Sequence, residues 1–158
     1  MTPERILPDL QCSLVCDSFR QEANGNLILL GVMDKILATQ FPVNVGQLIV
    51  VNRWTAGKGV FNQAVKLFAP DQTTVLAKAE NKVQLPDPVV STTTILGIGG
   101  FKLETPGPYW VEVIIDDVLK LRYALPVFQV QQQPPPTAGG GGGMPTGQTP
   151  IKPATPQE

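Results

Sequence analysis

Strict alternation of apolar and polar residues, the two-residue period of a half-buried strand, is clearest between Tyr109 and Leu125. Tyr109, Val111, Val113 and Ile115 share one parity, and Trp110, Glu112, Ile114 and Asp116 the other. A second run sets Leu119, Leu121, Tyr123 and Leu125 against Lys120, Arg122 and Ala124, so the two runs form a hairpin entered through the Pro106-Gly107 turn. Opposed residues of a hairpin share a face, and a slip of one residue inverts a whole strand. A two-residue turn at Asp116-Asp117 would set Val113 against Lys120 and Glu112 against Leu121, mixing the faces. A three-residue loop, Ile115-Asp116-Asp117, instead sets Val113 against Leu119, Val111 against Leu121 and Trp110 against Arg122, with Asp117 in the left-handed position. A shift of two would oppose Glu112 and Arg122. Both registers predict that Tyr109, Val111, Val113, Leu119, Leu121 and Tyr123 are buried together.

The same patterning extends upstream. Leu10 to Cys16 reads as a first strand with Leu10, Cys12, Leu14 and Cys16 inward, followed by the polar stretch Asp17 to Ala23 and by Asn24-Gly25, a type I′ turn signal. Asn26 to Ile36 is apolar on both faces across Leu27 to Met33, which predicts a central strand, the best protected of its sheet, with Gly31 at a bulge or close-packing point. Further strands are expected at Gln47–Trp54, Val60–Ala69, Thr74–Leu85 and Thr92–Glu104. In the fourth, Phe61, Val65 and Leu67 share a face. In the fifth, Val75, Ala77, Ala79 and Val83 point inward and Lys78, Glu80, Lys82 and Gln84 outward. Gly97, Gly99 and Gly100 in the sixth predict a bend or bulge at a sheet edge. Thr55–Gly59, Pro70–Thr73 and Pro86–Pro88 punctuate the series. Turn signals at roughly 8–12-residue spacing and the absence of helical periodicity predict an all-β fold, an immunoglobulin-like antiparallel sandwich of about 7–8 strands, with a closed barrel as the alternative.

This divides the chain into an N-terminal arm at residues 1–9, a sandwich domain at 10–130 and a tail at 131–158. A run of three glutamines, a run of three prolines and five consecutive glycines mark a tail with too little apolar content for a core, so it is expected to be disordered. Pro150-Ile-Lys-Pro153 has the spacing of a PxxP ligand, but such spacing arises readily in proline-rich tracts, and a spacer is the preferred reading.

Charge changes the picture by exclusion. Twelve basic and 13 acidic residues, a net charge of −1, are scattered without a stripe of one sign, so neither nucleic acid nor an anionic membrane is an expected partner. Glu4, Pro8 and Asp9 interrupt the place where a secretory signal needs an unbroken apolar core. The longest apolar run, Leu27 to Met33, is far short of the ~20 residues a membrane helix requires. A cytoplasmic location is expected.

Reactive chemistry is scarce. Without histidine, a Ser-His-Asp or Cys-His set cannot form within one chain. Ser13, Ser18 and Ser91 lie outside any G-x-S-x-G elbow. Cys12 and Cys16, about 13 Å apart along a regular strand, are beyond disulfide reach, and two thiols alone are a poor zinc set; they are expected to be small buried hydrophobes. Asp116 and Asp117 have a sufficient role in the turn, and no calcium-loop pattern occurs. Gly97-x-Gly99 and the Gly57-Lys58 pair lack the remaining residues of dinucleotide and phosphate loops. No catalytic residue, metal or cofactor is expected. Trp54 and Tyr109 are read as core, whereas the parity of Trp110 places it outside with Glu112 and Arg122, and these three are the interaction candidates.

Several segments together carry a likeness: Cys16-Asp-x-x-Arg20, Asn24-Gly-Asn-Leu-Ile-Leu-Leu-Gly-Val-Met-Asp34, Phe41-Pro42, Leu85-Pro-Asp-Pro88, and Pro106-Gly-x-Tyr109 leading to Asp116. Over about residues 10–130 the chain resembles an uncharacterised bacterial domain family of small β-sandwiches, a domain of unknown function. The resemblance implies a cytoplasmic bacterial protein and brings no catalytic residues. Asp117 stands where such a turn often has glycine. The expected function is a non-enzymatic binding or structural module engaging a protein partner, with self-association through an edge strand as a further option. The alternative is a small-ligand or carbohydrate-binding domain using exposed aromatics. A concave aromatic-plus-polar site would favour the ligand, and a flat apolar patch the protein partner. An enzyme using carboxylates alone would need two of them converging in a cleft.

Overall fold

The computed structural model describes residues 4–132, so the expected disorder of the tail falls almost entirely outside the described residues. Within them the chain forms nine strands and no helix: β1 (Asp9–Gln21), β2 (Leu27–Met33), β3 (Ile36–Ala38), β4 (Val43–Thr55), β5 (Gly59–Phe68), β6 (Val75–Leu85), β7 (Thr92–Leu103), β8 (Gly107–Ile115) and β9 (Val118–Gln129). They make two sheets, a four-stranded one in the order β2-β1-β4-β7 and a five-stranded one in the order β3-β9-β8-β5-β6. The all-β architecture is as expected. The ninth strand is β3, which shares only Ile36 with the longer strand expected over Asn26 to Ile36 and pairs with β9 in parallel.

One core joins the sheets. Val15, Leu48, Val50, Trp54, Leu96 and Ile98 of the first sheet pack with Phe61, Val65, Leu67, Val83, Tyr109, Val111, Val113, Ile115 and Leu125 of the second. Each of the larger side chains contributes about 1.5–3 kcal/mol by leaving water. The Tyr109 hydroxyl donates to the Thr105 carbonyl at 2.7 Å, so its polar end is satisfied where its ring is buried.

The two hairpin turns are the reverse of those expected. At the tip of β1–β2, Gly25 N–H donates to the Glu22 carbonyl at 2.9 Å, Glu22 N–H donates to the Asn26 carbonyl at 2.8 Å, and Gly25 has φ +90°, which is a type I turn closed by a left-handed glycine. At β8–β9, Ile115 opposes Val118 and both Asp116 (φ 45°) and Asp117 (φ 63°) are left-handed, a two-residue type I′ turn. Asp116 is held there by its side chain, whose Oδ1 accepts the Asn62 N–H at 2.8 Å. A bulge beside Val113/Ile114 then restores the faces, so that Glu112 opposes Arg122 and Val113 opposes Leu121. The bulge has a cost for the expected core: Leu119, opposite Ile114, turns outward at 52 % exposure, and Leu121 is 38 % exposed, while Tyr109, Val111 and Val113 are buried.

β2 is an edge strand, not the central one that its apolar faces predicted. The most enclosed strand is β4, flanked by β1 and β7 and buried from Leu48 to Asn52 and again at Trp54. β2 is apolar on both faces for another reason, a phase change. Val15 and its partner Met33 belong to the inter-sheet core, whereas Phe19 and its partner Leu29, four residues on and therefore of the same parity, line the opposite face. The switch lies at Gly31, whose φ is +66° and against which the Asp17 carboxylate lies in the space a Cβ would take. A matching switch crosses the β4–β7 ladder. Leu48 and Ile98 point into the core and so do Val45 and Phe101, with Gly46, Gly99 and Gly100 (φ +72°) between them. These glycines form a crease across the four-stranded sheet and curl it into a half-barrel. The β1–β4 ladder stops at Cys16–Ile49, and beyond it β1 and β2 continue as a separate ribbon.

Candidate functional site

The two outward faces differ in chemistry. Across the five-stranded sheet, Lys78, Lys66, Glu112 and Arg122 form one register row, with Glu80 and Lys82 beside it. That face is a solvated charged layer. The outward face of the four-stranded sheet carries a second apolar cluster instead, in which Cys16, Ile49 and Val51 are buried beneath Leu29 and Ile95.

Curling makes this second face concave. Cys12, Leu14, Val51 and Ile95 on the sheet, and Phe19, Leu27 and Leu29 on the ribbon, line a single cleft of about 980 Å³. Glu22 and Arg53 supply one charge of each sign, and Gln21, Asn26, Ser91 and Thr93 complete a polar rim. A bulge between Leu10 and Cys12 puts these residues there. It turns Ser13 and Val15 inward, where the Ser13 hydroxyl meets the Tyr123 hydroxyl at 2.9 Å, and sends Cys12 and Leu14 outward, contrary to the regular alternation expected from Leu10. Only Cys16 of the two thiols is buried; Cys12 is exposed. Burial pushes the Cys16 thiol above its ordinary range, and the neighbouring Asp17 charge adds to the shift.

Behind the cleft, in the core, lies a polar hub that the sequence reading passed over. Gln63 is 1 % exposed, and its Oε1 accepts from Trp54 Nε1 at 2.7 Å, Asn52 Nδ2 at 2.9 Å and Thr94 Oγ1 at 3.0 Å. Its Nε2 donates to Asn81 Oδ1 at 2.5 Å. The hub ties β4, β5, β6 and β7 together. Its signal was available: Gln63 falls between Phe61 and Val65 on the face assigned to the core.

Trp110, Glu112 and Arg122 do come together, on the charged face. The Arg122 guanidinium lies 4.7 Å from the centre of the Trp110 ring, 3.9 Å from the Glu112 carboxylate, and donates to Gln72 Oε1 at 2.8 Å. The indole face a sugar would need is therefore covered by Arg122, and Trp54 is fully buried. Leu14, Phe19 and Leu29, the exposed or half-exposed apolar residues of the cleft, were missed; Phe19 sits in a stretch whose composition reads as polar, and only the curl gives it apolar neighbours.

The N-terminal arm is fastened at the far end. Ile6 and Lys58 exchange two backbone hydrogen bonds of 2.9 Å. Arg5 lies over the Phe61 ring, donates to the Val60 carbonyl at 2.8 Å and forms an ion pair with Asp116. The Asn62 N–H, and secondarily Arg5, hold the Asp116 carboxyl below the usual carboxylate range. Among the described residues, no three Cys, Asp or Glu side chains gather where they could hold a metal ion.

Fold and cleft together define a two-sheet all-β domain with a recessed outward face that combines apolar and polar residues. Residues 11–128 match the model of DUF6941, a family of unknown function, and the chain belongs to that family. The motif set running from Cys16 to Asp116 lies wholly within the matched residues. No curated protein matches the chain.

Proposed function

We propose that this chain is a non-enzymatic protein-binding module whose cleft receives an extended, uncharged, apolar segment of a partner protein. The observation that carries this reading is the contrast between the two outward faces, one charged and the other concave, with apolar side chains inside a polar rim. A contiguous exposed apolar surface with a polar rim is the usual mark of an interaction site. The chemistry of the occupant follows from the lining. The interior of the cleft offers aliphatic, aromatic and thiol groups, and its two charges of opposite sign favour no net charge in what binds. Sugar binding has less support, because Trp54 is fully buried and Arg122 lies over one face of the Trp110 ring. In the same reading, the two sheets are an immunoglobulin-like sandwich whose four-stranded layer has been curled at its glycines. The module works in the cytoplasm, where a free exposed thiol such as Cys12 persists.

A photo-crosslinking residue placed at Leu14, in the native host, tests the reading against the same residue at Lys78 on the charged face. The Leu14 variant should give an adduct that maps to an uncharged apolar stretch of another chain, and a Leu29→Lys exchange should remove it. Adducts from Lys78 alone, or none from Leu14, would refute the cleft as the binding site.

A further inference from the structure

The cleft has an apolar interior, and Glu22 on its rim forms no ion pair among the described residues. A segment of matching chemistry exists in the same chain. Residues 133–158, outside the described residues, carry one charge of each sign, Lys152 and Glu158, as the cleft itself does with Glu22 and Arg53. Their large apolar side chains are Met144 and Ile151, and Ile151 adjoins Lys152 within Pro150-Ile-Lys-Pro153. Thr149 and Lys152 each precede a proline, which disfavours helix and favours extended backbone, so this stretch gives up less entropy on binding than an unrestricted one. Its reach is sufficient. The Val130 N–H donates to the Ala38 carbonyl at 2.9 Å, which fixes the departure of the tail beside β3. Pro150 lies 18 residues beyond Gln132, about 60 Å of extended chain. A domain of ~125 residues has a radius of gyration of about 14 Å and a half-circumference of about 55 Å, so the segment reaches the cleft from any point on the surface.

We infer, on the reading of the cleft as a site for extended segments, that Pro150-Ile-Lys-Pro153 occupies the cleft of its own chain in competition with a partner. Ile151 lies against Leu14, Phe19 and Leu29, and Lys152 beside Glu22. Tethering within one chain supplies an effective concentration of about 1 mM. A contact of so few groups needs no more. At a dissociation constant of about 1 mM, the tail holds the cleft half of the time and halves the apparent affinity of a partner. The tail sets a threshold that a partner segment must exceed, and it gives the PxxP spacing an occupant's role rather than a spacer's.

A photo-crosslinking residue at Leu14 of the purified full chain tests this. The expected product is an adduct within one chain that maps to residues 149–153, with a yield unchanged by dilution. Ile151→Glu, which alters no residue of either sheet, should remove most of it, and the same crosslinker at Lys78 on the charged face should give none. Glu22→Lys should weaken the adduct, and Glu22→Lys combined with Lys152→Glu should restore it. Without any crosslinker, maleimide should label Cys12, which lines the cleft, about twofold faster in Ile151→Glu than in the parent. No adduct within the chain, a yield that falls on dilution, an equal adduct from Lys78, or equal labelling of Cys12 in the two proteins would each overturn the inference. An intermolecular adduct from Leu14 in the native host would then leave the reading of the cleft intact, and its absence there would remove that reading as well.

Discussion

Gln63→Leu should lower the melting temperature by about 10 °C, because a single buried oxygen accepts from three donors. Trp54 and Asn52 are both 0 % exposed, so their N–H groups have no water to turn to when Oε1 is removed. An orphaned buried donor costs about 1–3 kcal/mol, and only Thr94 has a substitute, the Asn52 carbonyl at 3.4 Å. Two orphans therefore cost about 3 kcal/mol, which is about 10 °C for a domain of this size. It is also a large share of the 5–15 kcal/mol by which such domains are stable. Thr94→Val removes one donor, leaves the acceptor in place, and should cost about 1 kcal/mol. Thermal unfolding of both variants measures the difference. If Gln63→Leu melts within about 3 °C of the parent, the hub does not hold the four strands together.

Gly99→Ala should be the most damaging single-methyl change in the four-stranded sheet. A Cβ at position 99 would be driven into the Gly46 carbonyl oxygen and would lie 3.0 Å from the Gln47 Cα, and backbone cannot rotate aside as a side chain can. β4 and β7 must separate at the crease, at a cost of about 3 kcal/mol. Gly46→Ala is the matched control, since a Cβ there meets nothing within 4 Å and should change stability by no more than about 0.5 kcal/mol. The effect should extend to shape, because the crease sets the curl and the curl makes the cleft. Chemical denaturation of the pair, with hydrogen exchange across β7, reads both. Equal stability of the two variants would mean that the crease is not a tight packing point.

What the sequence revealed and what it concealed both trace to the two-residue period. Parity alone placed Tyr109, Val111 and Val113 in the core and Trp110 beside Glu112 and Arg122, since β8 runs without a break up to the turn. Parity fails wherever one strand gains a residue or a glycine reverses its phase. The bulge between Leu10 and Cys12 moved Leu14 from the expected core to the cleft, and the one beside Val113/Ile114 moved Leu119 to the surface. The glycines at 31, 97, 99 and 100 were legible as irregularities. Their alignment across strands, which turns separate kinks into one crease, was not, because strand order is a long-range property that composition does not carry. For the same reason β2 read as central: a strand with apolar residues on both faces is either enclosed by neighbours or lining a cleft, and its own residues do not distinguish the two.

Cys12 permits the most direct test of the cleft. It is exposed and lines the cleft, whereas Cys16 is buried with its thiol shifted away from the reactive form, so a maleimide-linked, polarity-sensitive dye should attach at Cys12 alone. When the segment recovered by crosslinking at Leu14 is added as a synthetic peptide, the dye emission should shift to the blue and saturate, and Leu29→Lys should abolish the shift. Calorimetric binding of that peptide with no change in the Cys12 dye would contradict the account and place the interaction on another face.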